Sequence, residues 1–409
     1  MSSLRKDAAR RVRIGISGSY GGMNLGDEAI LEGILGALRA SLETDVIVFS
    51  LNPADTLSRH GVEQAINPRS LTRKEIEPVI GSLDLLILGG GGLLYDADAP
   101  IYLREVALAT ELGVRVLLYA ISAGPLMTEA SRRAVREVLN ASAAIAITVR
   151  DRESSRLLDD VGVRTEVRLA ADPAFLLEPE PLPTAALEAE GVDFSRELVG
   201  FSVREPGPAA PSIDPDEYHE MLANAADFLV ERFDAEVLFV PMEKIDVRHS
   251  HAVVAHMRNA ERAEILRRRY SPRQILDLVG RFEFIVGMRL HFLIFAALRG
   301  VPFAPLPYGS KVSGLLEDLQ MDTPPLGEFS TGQLIGRIDR KWDTRAEIRE
   351  KMESLVPELK SRAASTNQLL LELLGRDTRD WGGAAQAIAT QVPSPANHAE
   401  ADSGVGRPT

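Results

Sequence analysis

At 409 residues, with 45% hydrophobic and 26% charged side chains, the chain is long enough for two ordinary soluble domains. Its formal charge of −13 argues against a nucleic-acid or general membrane-surface binder, because polyanions would be repelled, and it makes any internal cluster of cations informative. There is no cysteine, which excludes disulfides, thiolate metal sites and cysteine nucleophiles.

Met1 to Arg13 is basic, but no apolar run follows that could form a signal peptide, and no stretch approaches the length of a membrane span. The expectation is a cytoplasmic protein with a frayed, solvated start. Short Val/Ile/Leu runs bounded by Gly, Pro, Asn or charge predict buried strands at Val12–Ile16, Asp45–Ser50, Asp84–Leu88, Val114–Ile121 and Ala143–Val149. Helical patterns lie between them, as at Asp27–Leu42 and Arg152–Asp160. A Pro/Glu/Ala-rich connection, Glu178 to Glu190, precedes a second series. Its strands are predicted at Leu198–Val203, Glu236–Val240, Phe284–Gly287 and Val301–Leu306, its helices at Tyr218–Phe233, Ser271–Val279 and Val312–Leu319.

This alternation predicts an α/β protein of two doubly wound, Rossmann-like domains facing across a cleft. The first covers residues 12–178 and the second 196–345. A helical segment at 346–374 packs back, and a Gly/Ala/Pro/Ser-rich tail at 375–409 is expected to be disordered.

Ligands of open parallel sheets bind beyond the carboxyl ends of the strands. The first such turn, Gly15 to Glu28, has neither dinucleotide-fingerprint spacing nor the Lys-Ser/Thr of a P-loop. Asp27 and Glu28 at the helix start would repel phosphate. A flexible backbone carrying Ser19, Tyr20, Asn24 and Asp27 suits a hydroxyl-rich sugar, although a capping role for Asp27 fits equally well. The Gly89–Gly92 run, Gly91 included, ends another strand and reads as a loop allowing close approach of a ligand or of the facing domain. Arg150 ends the fifth strand; a cation aimed at the cleft and a salt bridge to Asp151, Glu153 or Asp172 fit it equally.

In the second half, three strands finish at cations: Arg204, Arg289 and Lys311. Arg289 and Lys311 also stand at helix starts, against the macrodipole, so a bound anion would repair both. His291, on the first turn after Arg289, is placed to donate to a phosphate or act as a general acid. His249, His251 and His256 mimic a metal motif, but no carboxylate completes it and they read as a solvated face.

The segments Gly21–Glu28, Gly89–Gly92, Val149–Asp151, Gly287–His291 and Gly309–Lys311 resemble the polysaccharide pyruvyl transferase family over about residues 12 to 360. The resemblance implies a fold similar to B-type glycosyltransferases, with phosphoenolpyruvate as donor held mostly by the second domain. It implies no cofactor, no nucleotide and no metal. It assigns essential roles to Arg289, His291, Lys311 and Arg150, with Arg204 a further donor contact. The acceptor is then a sugar or polysaccharide precursor, with room for peripheral membrane association through a lipid-linked acceptor. One departure stands at Ala120 to Pro125, where many members carry Gly-x-Gly-x-Gly-Pro. The alternatives are a nucleotide-sugar-dependent glycosyltransferase, using Glu317 or Asp318 on ribose, and a non-catalytic sugar-binding protein of polysaccharide assembly.

Overall fold

The computed structural model describes residues 11–205, 214–306, 310–323 and 330–375. The basic start, the Pro307–Gly309 turn and all of the expected tail except Gly375 lie outside the described residues.

The first sheet holds β1 (Val12–Ser17), β2 (Thr44–Phe49), β3 (Gln64–Ile66), β4 (Leu85–Leu88), β5 (Gly91–Leu94), β6 (Arg115–Ala123), β7 (Ile145–Val149) and β8 (Val167–Leu169). Its order is β3-β2-β1-β4-β6-β7-β8, with β5 added against β6. The second sheet is built from β9 (Leu198–Ser202), β10 (Glu236–Phe239), β11 (Ala263–Ile265), β12 (Phe284–Gly287) and β13 (Phe303–Pro305), in the order β11-β10-β9-β12-β13. All pairings run parallel. Helices cover both faces, which is why β4 and most of β9 read as continuous apolar runs.

The apolar strands predicted from the sequence all form. The three-residue edge strands β3, β8 and β11 do not show as runs, since they are too short and too polar for alternation to register. The glycine run is a correction: its second half is strand β5 rather than loop. Gly91 takes φ +100 and lies buried within β5.

The 29-residue helix Arg345–Leu373 joins the two halves. Its first turns bury Ile348, Met352, Val356 and Leu359 in the core of the second domain. Its last turns bury Leu369, Leu370 and Leu371 in the core of the first domain. Arg362 adds hydrogen bonds to Asp318 and to the Ala170 carbonyl. A backbone hydrogen bond from Leu25 N to the Met242 carbonyl, 2.8 Å, ties the glycine loop of the first domain to the β10 turn of the second. Among the described residues no helix is long and apolar enough to cross a membrane.

Candidate active site

The helix after β1, Leu25–Ser41, begins at Asn24, whose side chain accepts from Gly26 N. The loop before it is pinned from beneath: buried Glu28 accepts from Gly21 N at 2.9 Å and lies 2.6 Å from His60 Nε2. Gly26 faces the second domain. A Cβ there would stand 2.1 Å from His291 Nδ1, so glycine is what admits the imidazole against this helix start.

His291 sits on the first turn of the buried helix Leu290–Leu298. Its Nε2 lies 3.4 Å from Asp172 Oδ2, and Arg150 Nη1 donates to that same oxygen at 2.5 Å. Asp172 is fixed by capping Ala174 N, and Arg150 by its Nε bond to Ser122 Oγ, 2.6 Å. Burial would raise the Asp172 carboxyl, but His291 and Arg150 hold it well below the usual carboxylate range. The anionic form of Asp172, placed to orient the His291 ring, therefore dominates.

Two further groups share this neighbourhood. Asp27 is pushed up to about 6 by burial, with His291 and Lys311 pulling partly the other way and Ser19 bonding to it. Lys311 is an exposed residue. Its ammonium nevertheless packs 4.6 Å above the Tyr95 ring and is pushed down to about 8, first by desolvation and then by Arg150. Lys311 also feels Arg204 and Asp27. A Cβ on Gly92 would stand 2.4 Å from Lys311 Nζ, which identifies the facing domain as what the glycine run admits. A small cavity beside Arg150, Asp172 and Lys311 is closed by Leu290, Ile294 and Leu315.

The structure thus brings together His291, Arg150, Lys311, Asp27, Ser19 and Gly91, with Arg204 within electrostatic reach. Asn24 is the helix cap one turn away. For Arg150 the salt-bridge reading is realised, on Asp172. Two residues are corrected. Tyr20 is fully buried beneath Gly18 and Gly89 in the domain core, and so cannot contact an acceptor. Arg289 does not present a free cation to the cleft. Its guanidinium forks onto buried Asp246, and Nη2 lies 2.9 Å from Glu243 Oε2. These carboxylates, not a bound anion, answer the opposed dipole. Arg204 pairs with Glu205.

Sequence reasoning gave Asp172 only as a salt-bridge partner and missed Tyr95 and Asp246. Asp172-Pro173 at a strand's carboxyl end was the available signal for the first. The solvated reading of the histidine run is corrected at His249, which is buried and 3.0 Å from His219. His251 and His256 are exposed. Among the described residues no group of three potential ligands could hold a metal. Of the two carboxylates offered to a ribose in the glycosyltransferase alternative, Asp318 is held by Arg152 and Arg362 at 2.9 Å each, and Glu317 stands 3.7 Å from Arg152.

The family model for polysaccharide pyruvyl transferase matches residues 24–310. The amylovoran biosynthesis protein AmsJ of Erwinia amylovora is 20% identical over 404 residues, spanning 84% of this chain and 95% of that protein. A putative UDP-N-acetylglucosamine 2-epimerase from Listeria monocytogenes aligns with a TM-score of 0.60 at 12% identity, over 90% of this chain and 98% of that one. A glycosyltransferase from Rickettsia africae aligns with a TM-score of 0.58 at 13% identity, over 90% and 100%. At such identity the structural likenesses speak to fold alone: two Rossmann-like domains in the B-type arrangement.

Proposed function

The chain belongs to the polysaccharide pyruvyl transferase family, and on that premise we propose that it moves a pyruvyl group from phosphoenolpyruvate to sugar hydroxyls of a polysaccharide or its lipid-linked precursor, in the cytoplasm, forming a pyruvate ketal. The observation that carries this reading is the convergence of His291, Asp172, Arg150, Asp27 and Lys311 where the two domains meet.

Phosphoenolpyruvate places a phosphate and a carboxylate on a small frame, and binding it takes two or three cations. Lys311 and Arg204 hold the phosphate, while Arg150 faces the carboxylate. His291, beside Asp172, gives a proton to the enol methylene, and C2 becomes electrophilic. Asp27, anionic at neutral pH with its carboxyl at about 6, takes the proton of the attacking sugar hydroxyl. The C2–oxygen bond to phosphate then breaks, a second hydroxyl adds to C2 and gives its proton to His291, which has lost its own, and inorganic phosphate leaves. Lys311 and Arg204 stabilise the charge that grows on that phosphate. Arg289 is a positioning residue that braces the start of the His291 helix.

Thermal stabilisation by phosphoenolpyruvate, compared with nucleotide sugars, tests the donor; phosphate release with a lipid-linked or polysaccharide acceptor tests the transfer. His291→Ala should abolish release with the fold intact. Protection by a nucleotide sugar and none by phosphoenolpyruvate would return the glycosyltransferase reading.

A further inference from the structure

A second cavity, about 270 Å³, lies between the domains on the other side of the glycine loop. Met23 and Leu25 of that loop form one wall; the turns after β10 and β11 form the other. Lys244, Arg268 and Arg269 line it, and among the described residues these three enter no ion pair. The carboxylates nearby are already engaged: Glu28 with His60 and Glu243 with Arg289. In a chain of net charge −13, three uncompensated cations around one cavity are a local excess that an anion would relieve.

The turn that carries two of them is held in place. Buried Glu190, from the interdomain connection, accepts from Arg267 N at 2.7 Å and Arg268 N at 2.9 Å, and its other oxygen takes the Tyr270 hydroxyl. This clamp spends a buried carboxylate on the backbone and leaves the Arg268 and Arg269 guanidiniums exposed. Such preorganisation lowers the ordering cost of binding.

We propose that this cavity binds the diphosphate of a glycosyl diphosphate, the carrier-linked form of the acceptor. Three cations suit two linked phosphates better than one monoanion. The volume lies just below the range of about 300–1,000 Å³ usual for ligand cavities, so it takes a charged head group and not a whole oligosaccharide. Leu25 lines this cavity while Gly26 and Asp27, the next two residues, adjoin His291. Consecutive residues of one loop therefore line the cavity and adjoin the proposed reacting groups. Assigning the diphosphate to the acceptor rests on the pyruvyl-transfer reading; the anion site itself does not. The same chemistry could arrive on a nucleoside or on a polyprenyl lipid.

Calorimetric titration of the full chain with inorganic pyrophosphate, UDP and farnesyl diphosphate, with and without phosphoenolpyruvate, tests this. Pyrophosphate should bind, and at least tenfold more weakly to a Lys244→Ala/Arg268→Ala/Arg269→Ala variant. These side chains are exposed, so the variant keeps its fold, and stabilisation by phosphoenolpyruvate should be unchanged. Tighter binding of UDP than of pyrophosphate marks a nucleotide-linked acceptor, and tighter farnesyl diphosphate a lipid-linked one. No pyrophosphate binding, equal binding to the variant, or displacement by phosphoenolpyruvate overturns the site. Intact pyrophosphate binding without any response to phosphoenolpyruvate removes the donor reading and leaves this one standing.

Discussion

His291 stands in the space that a side chain on Gly26 would fill, so two residues from different domains share one position at the mouth of the cleft. A methyl group at residue 26 must push the imidazole off Asp172 or part the domains. Misplacing a reacting group by about 1 Å can cost about 100-fold in rate. Gly26→Ala should therefore lower phosphate release by about two orders of magnitude while melting within a few degrees of the parent protein. Turnover near the parent's would show that His291 is not held in its reacting position by this contact.

Asp172 has two partners, and its removal should be felt in stability as well as in rate. Asp172→Asn leaves Arg150 buried without its counter-ion, a change that typically costs about 3–5 kcal/mol. Because the Asp172 carboxyl is held below its unfolded value, its contribution is present at neutral pH and lost as acid protonates it. Denaturant titrations should show Asp172→Asn less stable at pH 7, with the gap narrowing as the pH falls below the unfolded carboxylate value. Arg150→Met/Asp172→Asn should recover part of the loss.

Lys311 shifts in the opposite sense for a cation, down to about 8. The charged form is disfavoured in the fold, so its cost is full below pH 8 and is relieved as the pH rises from 8 towards the free-lysine value of 10.5. Lys311→Met should accordingly melt higher than the parent at pH 7, with the difference vanishing near pH 10. Affinity for phosphoenolpyruvate should fall above pH 8 as the ammonium is lost, and Lys311→Arg should hold that affinity flat to pH 10. A flat profile in the parent protein would take Lys311 off the phosphate.

How far the molecule was legible follows from which signals are local. Strands buried on both faces, such as β4 and most of β9, declare themselves as apolar runs, and the rule that ligands gather at strand ends located His291, Arg150 and Lys311. Partner choice was not legible. Arg289 and Lys311 look alike in sequence, both basic at a helix start, yet Asp246 lies 43 residues before Arg289 and only the folded β10 turn brings it there. Tyr20 reads as one of the loop's sugar-binding side chains because nothing in the loop shows that glycines 18 and 89 close over it. Gly26 and Gly92 carried the opposite lesson, since their reason is a side chain in the other domain.

Ala120, within a register shift of β6, takes φ +49, a region where an L residue costs roughly 1–2 kcal/mol. Glycine relieves that strain but gives back about 0.4–1 kcal/mol through the unfolded chain. The Ala120 methyl is fully buried, and losing it costs a further amount of about 0.8 kcal/mol. The three effects nearly cancel, so Ala120→Gly should stay within about 1 kcal/mol of the parent's stability, read from the denaturant midpoint with an unchanged slope.

Arg289 separates a bracing role from a donor contact. Its guanidinium is buried against Asp246, which is 0% exposed and also accepts from Met242 N and Glu243 N. Burial would lower Arg289, but Asp246 and Glu243 more than offset it and raise its pKa. Replacing Arg289 with Met strands a buried carboxylate and should cost about 3–5 kcal/mol. Asp246→Asn/Arg289→Met removes both charges and should regain much of that stability. If Arg289 only braces the His291 helix, the double variant keeps the parent KM for phosphoenolpyruvate and loses kcat alone. A KM raised tenfold or more in the refolded double variant would instead put the guanidinium on the donor, with Glu243 released from it when the donor binds.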